Sequence, residues 1–143
     1  MFFGEFDHSL DAKGRVILPA EFRDRLEDGG FITKNLDGCL AIYTTEEFQE
    51  VAAGMQEKAR RGPTERNVAR SFAAGTRSIK PDKQGRVAIP AHLRDFAGLE
   101  RDVKVTGAIN RIEIWDAQRW IPKNQEGEAM LAGSQPGLDD LGI

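Results

Sequence analysis

The stretch that decides how this chain folds is Asp11 to Arg23, DAKGRVILPAEFR, because it returns seventy-one residues later as Asp82 to Arg94, DKQGRVAIPAHLR. Superposing the two matches Gly14 with Gly85, Arg15 with Arg86, Val16 with Val87, Pro19 with Pro90, Ala20 with Ala91 and Arg23 with Arg94. One residue inserted in the second copy extends the match, so that LAIYTTEEF (Leu40 to Phe48) overlies IEIWDAQRW (Ile112 to Trp120). An internal repeat of this kind sets the architecture before any local reading does. The chain is two related halves of about fifty residues each.

Each copy reads as a turn, a short strand and a short helix. The β-branched runs RVILP and RVAIP end at a proline, which holds the preceding residue extended and suits the first position of a helix. The helices are expected over Ala20 to Leu26, with Phe22 and Leu26 on one face, and over Ala91 to Ala97, stopped by Gly98. GFITK, DVKVTG, LAIY and IEIW read as further strands. Each half is therefore strand, turn, strand, short helix, strand, strand, an α+β arrangement. Between the halves, Thr44 and Glu47 have capping-box spacing, and Phe48, Val51, Ala52, Met55 and Ala59 recur with helical period. RRGP ends that helix, and a second is expected from Thr64 to Ala74, with Val68 and Phe72 inward and Gly75 as its cap. Asp116 caps a short helix that Pro122 limits after Trp120. This divides the chain into a first half at 1–52, linking helices at 53–76, a second half at 77–123 and an acidic tail at 124–143, expected to be disordered.

With 143 residues and 40% hydrophobic content, the chain can form a core without disulfides or metals. Its one cysteine, Cys39, supports neither a disulfide framework nor a zinc cluster and fits a reducing compartment. The first residues lack the basic and apolar regions of a secretory signal, and no run reaches the length of a membrane span. The net charge of −3 conceals an uneven distribution. Ala53 to Lys80 holds seven basic and two acidic residues, whereas the tail holds four acids, Glu126, Glu128, Asp139 and Asp140, and no base. A polyanionic partner is compatible with that pattern, and the tail is expected to oppose it modestly.

The duplicated turn is the candidate site. Gly14 and Gly85 stand where a turn needs positive φ. Asp11 and Arg15, and likewise Asp82 and Arg86, can pair across it, positioning each guanidinium while leaving outer donors for phosphate or for guanine O6 and N7. Lys13 and Lys83 add charge for a phosphate backbone. The plainer reading is a pair of surface ion pairs stabilising a hairpin, but that reading has no need to keep both an exposed acid and an exposed arginine in each copy. A carboxylate dyad is excluded by the arginines, which hold both acids ionised. His8 and His92 lack a second ligand at metal spacing, and Tyr43, Trp115 and Trp120 read as core aromatics. Arg60, Arg61, Arg66, Arg70 and Arg77 read as a solvated face or as a subunit interface complementary to Glu46, Glu47 and Glu50. Phe2 and Phe3 read as a covered edge strand.

MFFGEFDHSLDAKGRVILPAEFR, the second DKQGRVAIP and IEIWDAQRW resemble the MraZ family of bacterial transcription regulators, over roughly residues 1 to 123. The resemblance implies duplicated AbrB/SpoVT-like swapped-hairpin β-barrel halves, with Asp11, Lys13, Arg15, Asp82, Lys83 and Arg86 at double-stranded DNA. It also implies ring-shaped homo-oligomers, binding to short direct promoter repeats ahead of a division and cell-wall gene cluster that includes the protein's own gene, and a cytoplasmic, nucleoid-associated location. No cofactor, metal, catalytic residue or small-molecule substrate is expected. The second copy departs by carrying Gln84 where the first has Lys13. The competing reading is an antitoxin-like or scaffold protein-interaction module of the same fold.

Overall fold

A computed structural model describes all residues except 134–136 and 139–140. The first half contributes β1 (Glu5–Ser9), β2 (Arg15–Ile17), α1 (Ala20–Arg23, continued by a 3-10 turn at Asp24–Leu26), β3 (Gly30–Lys34) and β4 (Leu40–Thr44). Helices α2 (Thr45–Ala59) and α3 (Pro63–Gly75) follow. The second half repeats the order with β5 (Arg77–Ile79), β6 (Arg86–Ala88), α4 (Ala91–Ala97), β7 (Asp102–Gly107) and β8 (Ile112–Asp116), then α5 (Ala117–Ala132). The architecture is α+β with antiparallel sheets throughout, as the two strand-rich halves require.

The halves exchange strands. The larger sheet has the order β1-β7-β8-β4-β3-β5, which reads the same from either end when the halves are interchanged. Each half's first strand pairs with the other half's third, β1 with β7 and β5 with β3. The smaller sheet is a two-stranded ribbon of β2 and β6. Neither half can complete its sheet alone, so the repeat is one cooperative domain rather than two.

The ribbon lies over one face of the larger sheet. Val16 and Val87, with Leu18 and Ile89 just beyond them, point inward and join Phe22, Leu26, Leu93 and Ala97 from the helices. Ile32, Ile42, Val103, Val105, Ile112 and Ile114 complete the core from the sheet. Phe22 takes Phe2 and Phe6 edge-on, each at 5.4 Å between ring centroids, which ties the start of the chain to the centre. Phe2 is buried and bridges to Ile109, whereas its neighbour Phe3 is exposed. The opposite face of the sheet carries Tyr43 and Trp115. Phe48 covers the first at 6.3 Å and Trp120 the second at 5.7 Å, and these are equivalent pairs in the two halves.

Two expectations about the helices need correction. Val68 is 53% exposed rather than inward. Helix α3 reaches the sheet through its C-terminal end, where Phe72 is half-buried, Gly75 is buried and Ser71 Oγ accepts from Lys34 Nζ of β3 at 3.1 Å, and exposed Val68 lies clear of the core. The second correction concerns the tail: α5 does not stop at Pro122 but continues to Ala132, making residues 124–132 helical. Pro122 lies in the second turn, where it forfeits one bond, to the Gln118 carbonyl. The residues after it are mostly strong helix formers, and Asn124 bonds Glu128 across one turn at 2.8 Å. The tail acids Asp139 and Asp140, and with them that part of the expected disorder, lie outside the described residues.

Candidate nucleic-acid interface

An aspartate opens each turn because its carboxylate can accept from several backbone N–H groups at once. Asp11 Oδ1 accepts from the amides of Lys13 and Arg15, both at 2.9 Å, and Asp82 Oδ1 accepts from those of Gln84 and Arg86, both at 2.9 Å. The backbone closes the same loops, Gly14 N–H donating to the Asp11 carbonyl at 3.0 Å and Gly85 N–H to that of Asp82 at 2.9 Å. Both glycines take positive φ, +73° and +79°. The second carboxylate oxygen accepts from the arginine that follows: Arg15 Nε to Asp11 Oδ2 at 2.7 Å and Arg86 Nε to Asp82 Oδ2 at 2.8 Å.

These bonds, first among them the one from the arginine's own backbone amide, hold both carboxyls below the ordinary aspartate value of 3.8. Both acids are thus anions throughout the neutral range, and the pairs loosen only as pH falls through those lowered values. Each arginine spends Nε on its aspartate. Its two terminal amino groups make no hydrogen bond among the described residues, which leaves a planar fork for an external acceptor.

Strand pairing brings the two turns together. Val16 lies opposite Val87, Arg15 opposite Ala88 and Ile17 opposite Arg86. Residues directly opposite share a face, so burial of the valines puts Arg15, Ile17, Arg86 and Ala88 on the outer one. The two arginines occupy diagonal corners of it, roughly 7–8 Å apart at the backbone. Ile17, 48% exposed, fills a third corner as an apolar contact. Lys13 and Lys83 are exposed on the turns beside them. All six expected site residues belong to this ribbon and its two flanking turns, but Gln84 replaces Lys13 at the equivalent position, so the flanks differ in charge.

Arg23 and Arg94 also belong to this site, although their spacing alone assigned them no role. The amide of Leu18 donates to the Gly85 carbonyl and that of Ile89 to the Gly14 carbonyl, both at 2.9 Å. The helix arginine of each half then packs on the other half's turn. A methyl at Gly14 would sit 2.1 Å from Arg94 Nη1, and one at Gly85 would sit 2.1 Å from Arg23 Nη1. Arg94 Nη1 also donates to the Ile89 carbonyl, and Arg23 Nη1 to the Gln84 carbonyl at 3.5 Å. The recurrence of arginine at both positions was the available signal; its meaning depends on the strand exchange.

Replacing Gly14 with alanine is therefore expected to lower unfolding free energy by about 1–2 kcal/mol, from the left-handed backbone alone. It should also displace Arg94 from the turn. Urea denaturation of Gly14→Ala measures the first effect, and a stability within error of the parent would contradict it.

A family model described as "MraZ protein, putative antitoxin-like" matches this chain twice, over residues 1–71 and 72–132. The chain belongs to the MraZ family. Relatives named transcriptional regulator MraZ include one from Natranaerobius thermophilus, 42% identical with 100% of both chains covered. Others are from Cutibacterium acnes, 45% identical over 92% of this chain and 93% of that one, and from Acetivibrio thermocellus, 44% identical over 84% of each. The MraZ family is one of transcription regulators, not of enzymes. The second matched region ends with α5, so this helix lies within the part of the chain that the family model covers. Among the described residues no helix is long and apolar enough to cross a membrane.

Proposed function

We propose that this chain is a sequence-specific DNA-binding transcription regulator that reads double-stranded DNA with the β2–β6 ribbon. The observation that carries the reading is the pair of arginine forks on one outward face, each held by its own aspartate. A two-stranded ribbon fits the major groove, about 12 Å wide, where a guanidinium can bond guanine O6 and N7 together. Arg15 and Arg86 take that role, Asp11 and Asp82 orient them, and Lys13 and Lys83 meet phosphates. Gly14 and Gly85 give the turns their shape.

One ribbon contacts few base pairs, so useful affinity comes from several copies engaging several sites at once. A ring-shaped homo-oligomer acting on short direct repeats meets that requirement. The proposed target is the promoter of a division and cell-wall gene cluster that includes the protein's own gene, which places the protein at the cytoplasmic nucleoid. The net charge of −3 is no obstacle, because the relevant field is the local one at the ribbon.

Footprinting the full-length protein on the DNA upstream of its own gene tests this reading. Protection is expected as short, regularly spaced blocks, each with the same bases. Uniform protection, or none at low salt, would overturn it. A second protein recovered in equal amount, with no specific DNA bound, would favour the antitoxin-like interaction module instead.

A further inference from the structure

The hairpin of α2 and α3 leaves an open apolar groove of about 610 Å³ along its length. Phe48 and Met55 from α2 and Ala69 and Phe72 from α3 line it, and the exposed Arg66 and Arg70 line it as well. Phe48 is held in place by stacking on Phe31 at 4.3 Å and on Phe72 at 6.2 Å, so the groove is built on the sheet rather than on loose side chains. Half-buried Ala52, Met55, Ala59 and Ala69 have small or flexible side chains, which lets another helix approach closely.

Elsewhere the molecule carries a helix whose C-terminal half has nothing against it. Beyond half-buried Asn124, α5 is exposed on every face through Ala132, including Met130 at 46% and Leu131 at 61%. No basic residue follows Lys123, so this arm is acidic through Glu126 and Glu128. In the repeat, α5 is the counterpart of α2: Asp116 caps it by accepting from the Arg119 amide, as Thr44 caps α2 by accepting from that of Glu47. On that alignment Trp120 overlies Phe48, and Leu131 overlies Ala59. Helix α2 has α3 packed beside it, whereas the second half supplies no such helix for α5 among the described residues.

We propose that residues 124–132 of α5 from a second copy of this chain dock in the α2–α3 groove. Three observations select this occupant. The arm is acidic where the groove is lined by Arg66 and Arg70. Its nine residues extend about 13 Å, against about 16 Å of α2 between Phe48 and Ala59. Its own groove is also misplaced for it. Strands β4 and β8 are antiparallel, so α2 and α5 leave the sheet at opposite ends, and no residue of α5 lines the groove. The contact is a helix in an apolar groove. It joins unlike surfaces, so each copy offers one arm and one groove, a geometry that propagates and closes into a ring when the rotation permits. The inference rests on the assembly proposed above and names the surfaces that make it.

Light scattering of the full chain without DNA tests the docking. The parent protein is expected to be larger than a dimer at micromolar concentration, and Met130→Glu with Leu131→Glu is expected to reduce it to the monomer mass. Both changes are at exposed positions, and an unaltered circular dichroism spectrum and melting temperature show that the fold survives. Arg66→Glu with Arg70→Glu should also break the assembly at low salt, and adding Glu126→Arg with Glu128→Arg in the same chain should restore it. An unchanged mass in the arm variant, a monomeric parent, or no restoration by the charge exchange overturns the docking. None of those results bears on base recognition by the ribbon, because footprinting reads that separately.

Discussion

Arg15→Ala combined with Arg86→Ala is expected to abolish sequence-specific DNA binding in a mobility-shift assay while leaving fold and assembly intact. Each bidentate arginine to guanine contact contributes about 1–3 kcal/mol of discrimination, or roughly 5- to 150-fold per arginine. The double change compounds these losses, and an oligomer repeats them at every engaged subunit. Stability should change by no more than about 0.5 kcal/mol, because both side chains are surface groups. The turn also survives without them: Asp11 and Asp82 still accept from two backbone amides each. The single variants separate the two turns. Equal losses would mean that both forks read bases, whereas a loss confined to Arg15 would assign the second turn to completing the ribbon. Lysine at these positions should rescue poorly, since a point charge cannot reproduce the fork. Unchanged affinity of the double alanine variant would remove the basis of the proposed function.

Phe22→Ala is expected to be the most damaging single change to stability, at about 3–5 kcal/mol. Phe22 is 2% exposed and receives both Phe2 and Phe6, so truncating it opens a cavity and loosens two further rings. Against a typical domain stability of about 5–15 kcal/mol that is a large share. Chemical denaturation gives the magnitude, and hydrogen exchange locates it. The Phe2 and Ile109 amides, which bond each other's carbonyls at 2.8 and 3.0 Å, should lose protection first. A loss below about 1 kcal/mol would mean that the site collapses around the smaller side chain, contrary to the close packing of this core.

Most of the fold was legible because the repeat makes two independent statements of one pattern. Both turns, the prolines that start α1 and α4, the Thr44 and Asp116 caps and strands β2, β3, β4, β6, β7 and β8 follow from spacing, turn chemistry and period, whereas β1 and β5 followed only as the first strand in the order of each half. The two helical misreadings share a cause. Val68 has the right period for burial and Pro122 the right chemistry for a stop, but both rules describe a local segment. Whether a helix face meets a core, or a helix outlasts one lost hydrogen bond, depends on what lies beyond the segment. The same limit applied at the site. Its chemistry was visible in D-x-x-x-R written twice, whereas Arg23 and Arg94 became part of it only when each was found against the other half's glycine.

The amino-acid order alone therefore settled that there are two charged turns, what shapes them and which side chains they expose, because all of that is decided within about five residues of backbone and side-chain hydrogen bonding. Only the tertiary structure decided that the turns form one surface. Their union requires β2 to pair with β6, and β1 and β5 to cross into the opposite halves. Those pairings join residues from about forty-five to about a hundred positions apart and are selected by burial of Val16, Val87 and the shared core, a collective property that no local stretch carries.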